Sequence, residues 1–157
     1  MKSTQKQRQK LLKILIVLTL VFIWGNSMIP GDLSRAFSVQ LTETLGGEVA
    51  DENDPQYKNV KEIRDGNWYL RKGAHFAEFM LLSGELTLFF SLRGEKGREK
   101  RLLLACAGMA VPLLDETIQM FTHRSPMVRD IWIDIAGYAT GCLLVSAALR
   151  VRRRAKE

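Results

Sequence analysis

His75 and Glu78 lie three residues apart, and so do Glu116 and Gln119. On a helix, each spacing puts both side chains on one face. An imidazole beside carboxylates can act as a general base, as a general acid, or within a ligand set for a divalent ion. Three more carboxylates, Asp115, Asp130 and Asp134, fall close to this group, and three cations, Arg71, Lys72 and Arg124, stand around it. Arg grips phosphate or carboxylate through paired hydrogen bonds, whereas Lys acts as a compact point charge. Glu78, Glu116 and His75 are therefore the candidates for catalytic work, and Arg71, Lys72, Gln119, Arg124 and Asp130 for ligand binding. With one His in the group and no Cys or second His beside it, no zinc spacing is completed and no metal site is assigned. Oxygen ligands with water would suit Mg²⁺ or Ca²⁺, with substrate phosphate completing the shell. No nucleophile elbow, phosphate loop or HExxH pattern occurs, and the cofactor stays open.

Most of these groups fall where a hydrocarbon core would be. Four apolar stretches, 11–29, 74–92, 102–121 and 131–149, each have about the 20 residues that a helix rising 1.5 Å per residue needs to cross a bilayer. The expected fold is all-α, a single domain over residues 1–157: a polytopic membrane protein with four transmembrane helices. Mean hydropathy is only −0.06 because the connectors are very polar. Ionisable groups at membrane depth are costly, so they face a protein interior, pair with one another, and mark functional sites.

Orientation follows from the 23 Lys and Arg residues. Five precede or enter the first stretch (Lys2, Lys6, Arg8, Lys10, Lys13), five fall in 93–101, and five close the chain from Arg150. The 31–73 connector holds six basic residues against eight acidic ones, and 122–130 holds two basic residues. An even number of spans puts the three basic segments on one side, which the positive-inside rule makes cytoplasmic. Both termini are expected inside and the 31–73 loop outside. The pI of 9.5 then reflects juxtamembrane charge facing an anionic leaflet, and no nucleic-acid partner is implied. The first stretch ends in Trp24-Gly25-Asn26-Ser27 without a small-x-small cleavage site, so it reads as an uncleaved helix. Cys106 and Cys142 have neither CxxC nor metal spacing and read as buried packing residues. The 31–73 connector reads as a solvated cap with short helical patterns around 34–45 and 56–63.

This topology gathers the polar residues at the outer leaflet. Arg71, His75, Glu78, Leu82 and Glu85 form one stripe of the second span; Asp130, Asp134, Gly137 and Gly141 form another on the fourth. Gly137-x-x-x-Gly141 admits a neighbouring helix at close range, and Asp115, Asp134, Gly137 and Gly141 are expected to be structural. Pro112 deprives the Gly108 carbonyl of its helical donor, which predicts a bend just beneath Asp115.

The same residues carry a family resemblance. Arg71-Lys72-Gly73-Ala74-His75-Phe76-Ala77-Glu78-Phe79 resembles the RKxAHFxEY signature of VanZ-like membrane proteins. Asp115-Glu116-Thr117-Ile118-Gln119, then Arg124-Ser125, Asp130 and Gly137, is similar to that family's second signature, which adds Ser125 to the ligand-binding set. Asn26-Ser27-Met28-Ile29-Pro30-Gly31 resembles the segment that ends its first helix. Phe79 stands where Tyr is commoner, His123 where Pro-Gly is usual, and Asp134 where Asn is frequent, which makes the pocket more acidic. The resemblance implies a four-helix protein of the bacterial cell envelope whose namesake lowers susceptibility to the glycopeptide teicoplanin. Three readings remain open at this point. The outer-leaflet pocket recognises or modifies an amphiphile, such as a lipid-linked wall precursor or another lipid; it is a membrane-embedded enzyme; or it is an ion-pair lattice in a structural bundle, with no partner beyond the lipid bilayer.

Overall fold

The computed structural model describes residues 2–51, 54, 55, 63, 65–95, 97–122 and 127–155. They are all-α: α1 (Lys2–Met28), α2 (Gly31–Thr44), α3 (Gly66–Arg93), α4 (Gly97–Phe121) and α5 (Val128–Arg154). Three of these are long and apolar enough to cross a membrane: α1 from Thr4 onward, α4 and α5. α3 is the longest at 28 residues but falls outside that set, because His75, Glu78, Ser83, Glu85 and Thr87 dilute its apolar content.

Side-chain pairings fix how the long helices run. Thr19 faces Glu85 and Gln9 reaches Leu92, so α1 is antiparallel to α3. Lys72 meets Asp130, and a Cβ on Gly84 would touch Val145, so α3 and α5 run parallel. α4 runs back against both, with Gly108 beneath the Tyr138 ring and Lys100 bonded to Ser91. The helices close a ring in the order α1, α3, α5, α4, with α3·α5 the most extensive pairing. At its centre Ile23, Phe79, Leu82 and Tyr138 are buried, flanked by Leu20, Ala107 and Val111. Large apolar side chains such as Val21, Phe22, Leu143 and Leu144 point outward. In lipid, close packing and polar contacts rather than hydrophobic burial hold helices together. The α3·α5 contact shows this: a Cβ on Gly137 would strike the Phe76 carbonyl, and one on Gly141 the Met80 carbonyl and Ser83 Oγ.

Several boundaries and burials differ from the sequence expectation. α3 begins at Gly66 rather than Ala74, because Asp65 caps it: one carboxylate oxygen accepts from Trp68 N at 2.8 Å, and the other ties down Ala50 N at 2.9 Å. Arg71 and Lys72 therefore ride on a helix rather than a loop. At the other end Gly94 adopts φ 86°, and Glu95 N reaches back to Phe90 O, a left-handed cap that suits glycine. α4 continues through Pro112 as one helix. Cys106 is exposed on the bundle rather than buried, since an apolar window cannot distinguish the inward face of a helix from the outward one. α2 is inverted: Ser38 and Thr42 are buried, while Leu33, Phe37, Leu41 and Leu45 are exposed. A solvated cap accounts for the polar residues of the connector but not for that stripe. Of the helical pattern expected at 56–63, only residue 63 is described, outside any helix.

Candidate functional site

One end of the ring collects the carboxylates. α1 finishes there with Ser27, which is fully buried and donates its Oγ–H to Asp115 Oδ1 at 2.6 Å. One turn further along α4, Gln119 Nε2 donates to Asp115 Oδ2 at 2.8 Å, and Thr122 Oγ1 donates to the Ser27 carbonyl at 3.0 Å. Gly31 N adds a bond to Thr122 O at 3.3 Å. Asp115 is therefore held by hydrogen bonds on both oxygens, with α1 and α4 stitched together through it.

Asp134, on α5, is equally buried but is held differently. Both Asp115 and Asp134 are 0% exposed, yet neither Asp134 oxygen accepts a hydrogen bond among the described residues. His75 Nδ1 on α3 lies 3.7 Å from its Oδ1. Asp115, Glu116, Asp130 and Glu78 surround it closely enough to act on its charge. His75, Asp115 and Asp134 each offer a ligand atom, and these atoms lie within 4.8 Å of one another. Glu116 is buried, with Oε2 unbonded and the Met127 backbone amide hydrogen-bonded to its carboxylate.

The cations lie at the rim. Lys72 Nζ sits 2.5 Å from Asp130 Oδ2, both half-buried. Arg129 stacks over the Trp68 ring at 5.4 Å, a cation–π contact that helical spacing did not anticipate. Arg71 and Glu78 are half-buried on the same end of α3. Arg124 and Ser125, expected in the ligand-binding set, and His123 lie outside the described residues.

Elsewhere, Glu85 is buried in the other half of the bundle, apart from the cluster. Thr19 Oγ1 donates to its Oε1 at 3.1 Å, while Oε2 has no partner. Thr19 was silent in the sequence, since one hydroxyl in an apolar run has no periodic signal.

The sequence profile of the VanZ/LLP1 family matches residues 12–150. The chain belongs to the VanZ/LLP1 family. The matched span takes in α3 and α4 whole, most of α1 and α5, and every residue of the polar end described above. No curated protein and no solved structure matches the chain. Membership in VanZ/LLP1 fits a helical membrane protein.

Proposed function

We propose that this VanZ/LLP1 protein crosses the cytoplasmic membrane four times with both termini inside, and that its carboxylate-lined end opens to the outer leaflet of the cell envelope. There it recognises an anionic amphiphile, a lipid-linked wall precursor or another lipid, and so lowers susceptibility to teicoplanin-type glycopeptides in a Gram-positive host. The fourth crossing is α3. At 28 residues it is about 42 Å long, and Ala74, Ala77 and Leu81 make an exposed apolar stripe, while its polar groups turn toward its neighbours. Exposed Lys10, Arg93, Arg98 and Arg152 to Arg154 gather at the end opposite the carboxylates, which supports a cytoplasmic position for that end by the positive-inside rule.

The observation that carries the reading is the meeting of buried carboxylates from α4 and α5 with rim cations from α3 and α5. Lys72 and Arg129 have the chemistry to hold a phosphate or carboxylate at the mouth, and Glu78, His75 and Glu116 lie just inside. The full hydrogen bonding of Asp115 favours a second, compatible role, in which part of the cluster locks helices together.

The test compares wild type, Glu78→Gln and Glu116→Gln at matched membrane levels in a susceptible Gram-positive host. Wild type is expected to raise the teicoplanin inhibitory concentration and the variants to lose that gain. Equal protection by equally abundant variants would reduce the carboxylates to a structural role, and no protection by wild type would end the resistance reading.

A further inference from the structure

The geometry points to a divalent metal site formed by His75, Asp115 and Asp134, taking a first-row cation of the Zn²⁺ type. Helical spacing assigns no metal here because the three ligands come from three different helices. Two independent observations meet at the site. The first is convergence: one imidazole and two carboxylates present donor atoms within 4.8 Å of one another. Zn²⁺ bonds of roughly 2.0–2.2 Å place neighbouring donors about 3.4 Å apart, so small side-chain rotations close the set. The second is Asp134 itself, fully buried, with no hydrogen bond to either oxygen among the described residues. A buried carboxylate left so is expensive, and the groups around it are mostly further carboxylates. A dication compensates several of them at once.

The surroundings suit a ligand set. Asp115 is oriented by Ser27 and Gln119, one on each oxygen, which leaves lone pairs for a metal and supplies the outer hydrogen bonds that ligating carboxylates ordinarily have. The imidazole favours Zn²⁺ and its neighbours over Ca²⁺, which takes six to eight oxygens. Three protein ligands leave a fourth position for water or a ligand oxygen, as in catalytic rather than structural zinc sites. The site itself stands on the geometry. That its open position takes a phosphate oxygen of the amphiphile rests on the reading under Proposed function.

The experiment uses the full-length protein in detergent micelles, stripped with chelator and reloaded separately with Zn²⁺, Mn²⁺, Mg²⁺ and Ca²⁺. Bound metal is measured by mass spectrometry and unfolding by circular dichroism. Wild type is expected to hold about one Zn²⁺ per chain and to melt higher with it. Ser27→Ala should weaken binding about 10- to 100-fold, and folded Asp134→Asn or His75→Gln should abolish it. Glu85→Gln, altering a buried carboxylate outside the cluster, should bind as wild type. The chain has two histidines, so the imidazole donor can be identified without mutating His75. On Cu²⁺-loaded protein, nitrogen spin-echo modulation that persists in His123→Gln assigns it to His75, even if His75→Gln fails to fold. Folded wild type that takes up less than about a tenth of an equivalent of any ion overturns the site, as does undiminished binding by folded Asp134→Asn. Metal binding without teicoplanin protection would keep the site and end the resistance reading; protection without metal would do the reverse.

Discussion

At one end of the bundle Asp115, Glu116 and Asp134 are sealed among the helices; at the other, Lys10, Arg93, Arg98 and Arg152 stand at the surface. The difference is one of energetics as much as sign. An exposed cation keeps its water and interacts weakly with its neighbours, as Arg93 does with Glu95 at 3.6 Å. A sealed carboxylate must find its solvation in the protein, and each partner it finds ties another helix into place. The basic end therefore contributes little to holding the fold together. The acidic end is tied into the packing through bonds such as those on Asp115, and its residues are the less replaceable.

Four substitutions would break or sharpen that contrast, each read by thermal unfolding of purified protein in detergent. The largest effect is expected from Gly141→Leu. Its side chain would collide with the Met80 carbonyl and Ser83 Oγ, forcing α5 off α3 and opening the acidic end; a loss of about 3 kcal/mol or outright failure to fold follows. Near-native stability would mean that the glycine contact is not what seals the cluster. Next comes Asp115→Ala, which strands the Ser27 hydroxyl and the Gln119 amide in a buried site, at about 1–3 kcal/mol for each orphan. A change below about 0.5 kcal/mol would show water replacing the carboxylate, and with it a much wetter interior. Smallest at the acidic end is Lys72→Ala. Its pair with Asp130 is partly exposed, with side chains 18% and 15% accessible, so about 1 kcal/mol is expected after solvent screening. Arg98→Ala at the basic end should leave the melting curve unmoved, and equal losses from the two would erase the contrast.

Much of this was legible in the sequence. Apolar windows located the long helices, and alternating directions over an even number of spans sent Glu78, Asp115, Glu116 and Asp130 to one end. Gly137 and Gly141 read as a close-approach surface because their spacing matches a helical face. What the sequence could not convey was partnership across helices. Spacing groups His75 with Glu78, but the order of the ring decides that His75 faces Asp134 and that Ser27 faces Asp115. The early start of α3 was hidden because Asp65-Gly66-Asn67 has the composition of a turn, while Asp65 in fact serves as a helix cap. The Thr19–Glu85 bond was hidden because it joins single polar residues on two otherwise apolar faces.

The inverted helix α2 bears on how the protein can be handled outside a cell. Leu33, Phe37 and Leu41 line its outer face, with Leu45 exposed just past its end, while Ser38 and Thr42 turn inward, an arrangement that water penalises and an oily boundary accepts. A narrow detergent belt fitted only around the long helices would leave this stripe wetted and sticky, and molecules would associate through it. Solubilisation therefore calls for a surfactant whose headgroup zone reaches past Met28 and Pro30, and particle size by light scattering will report at once whether the belt is wide enough.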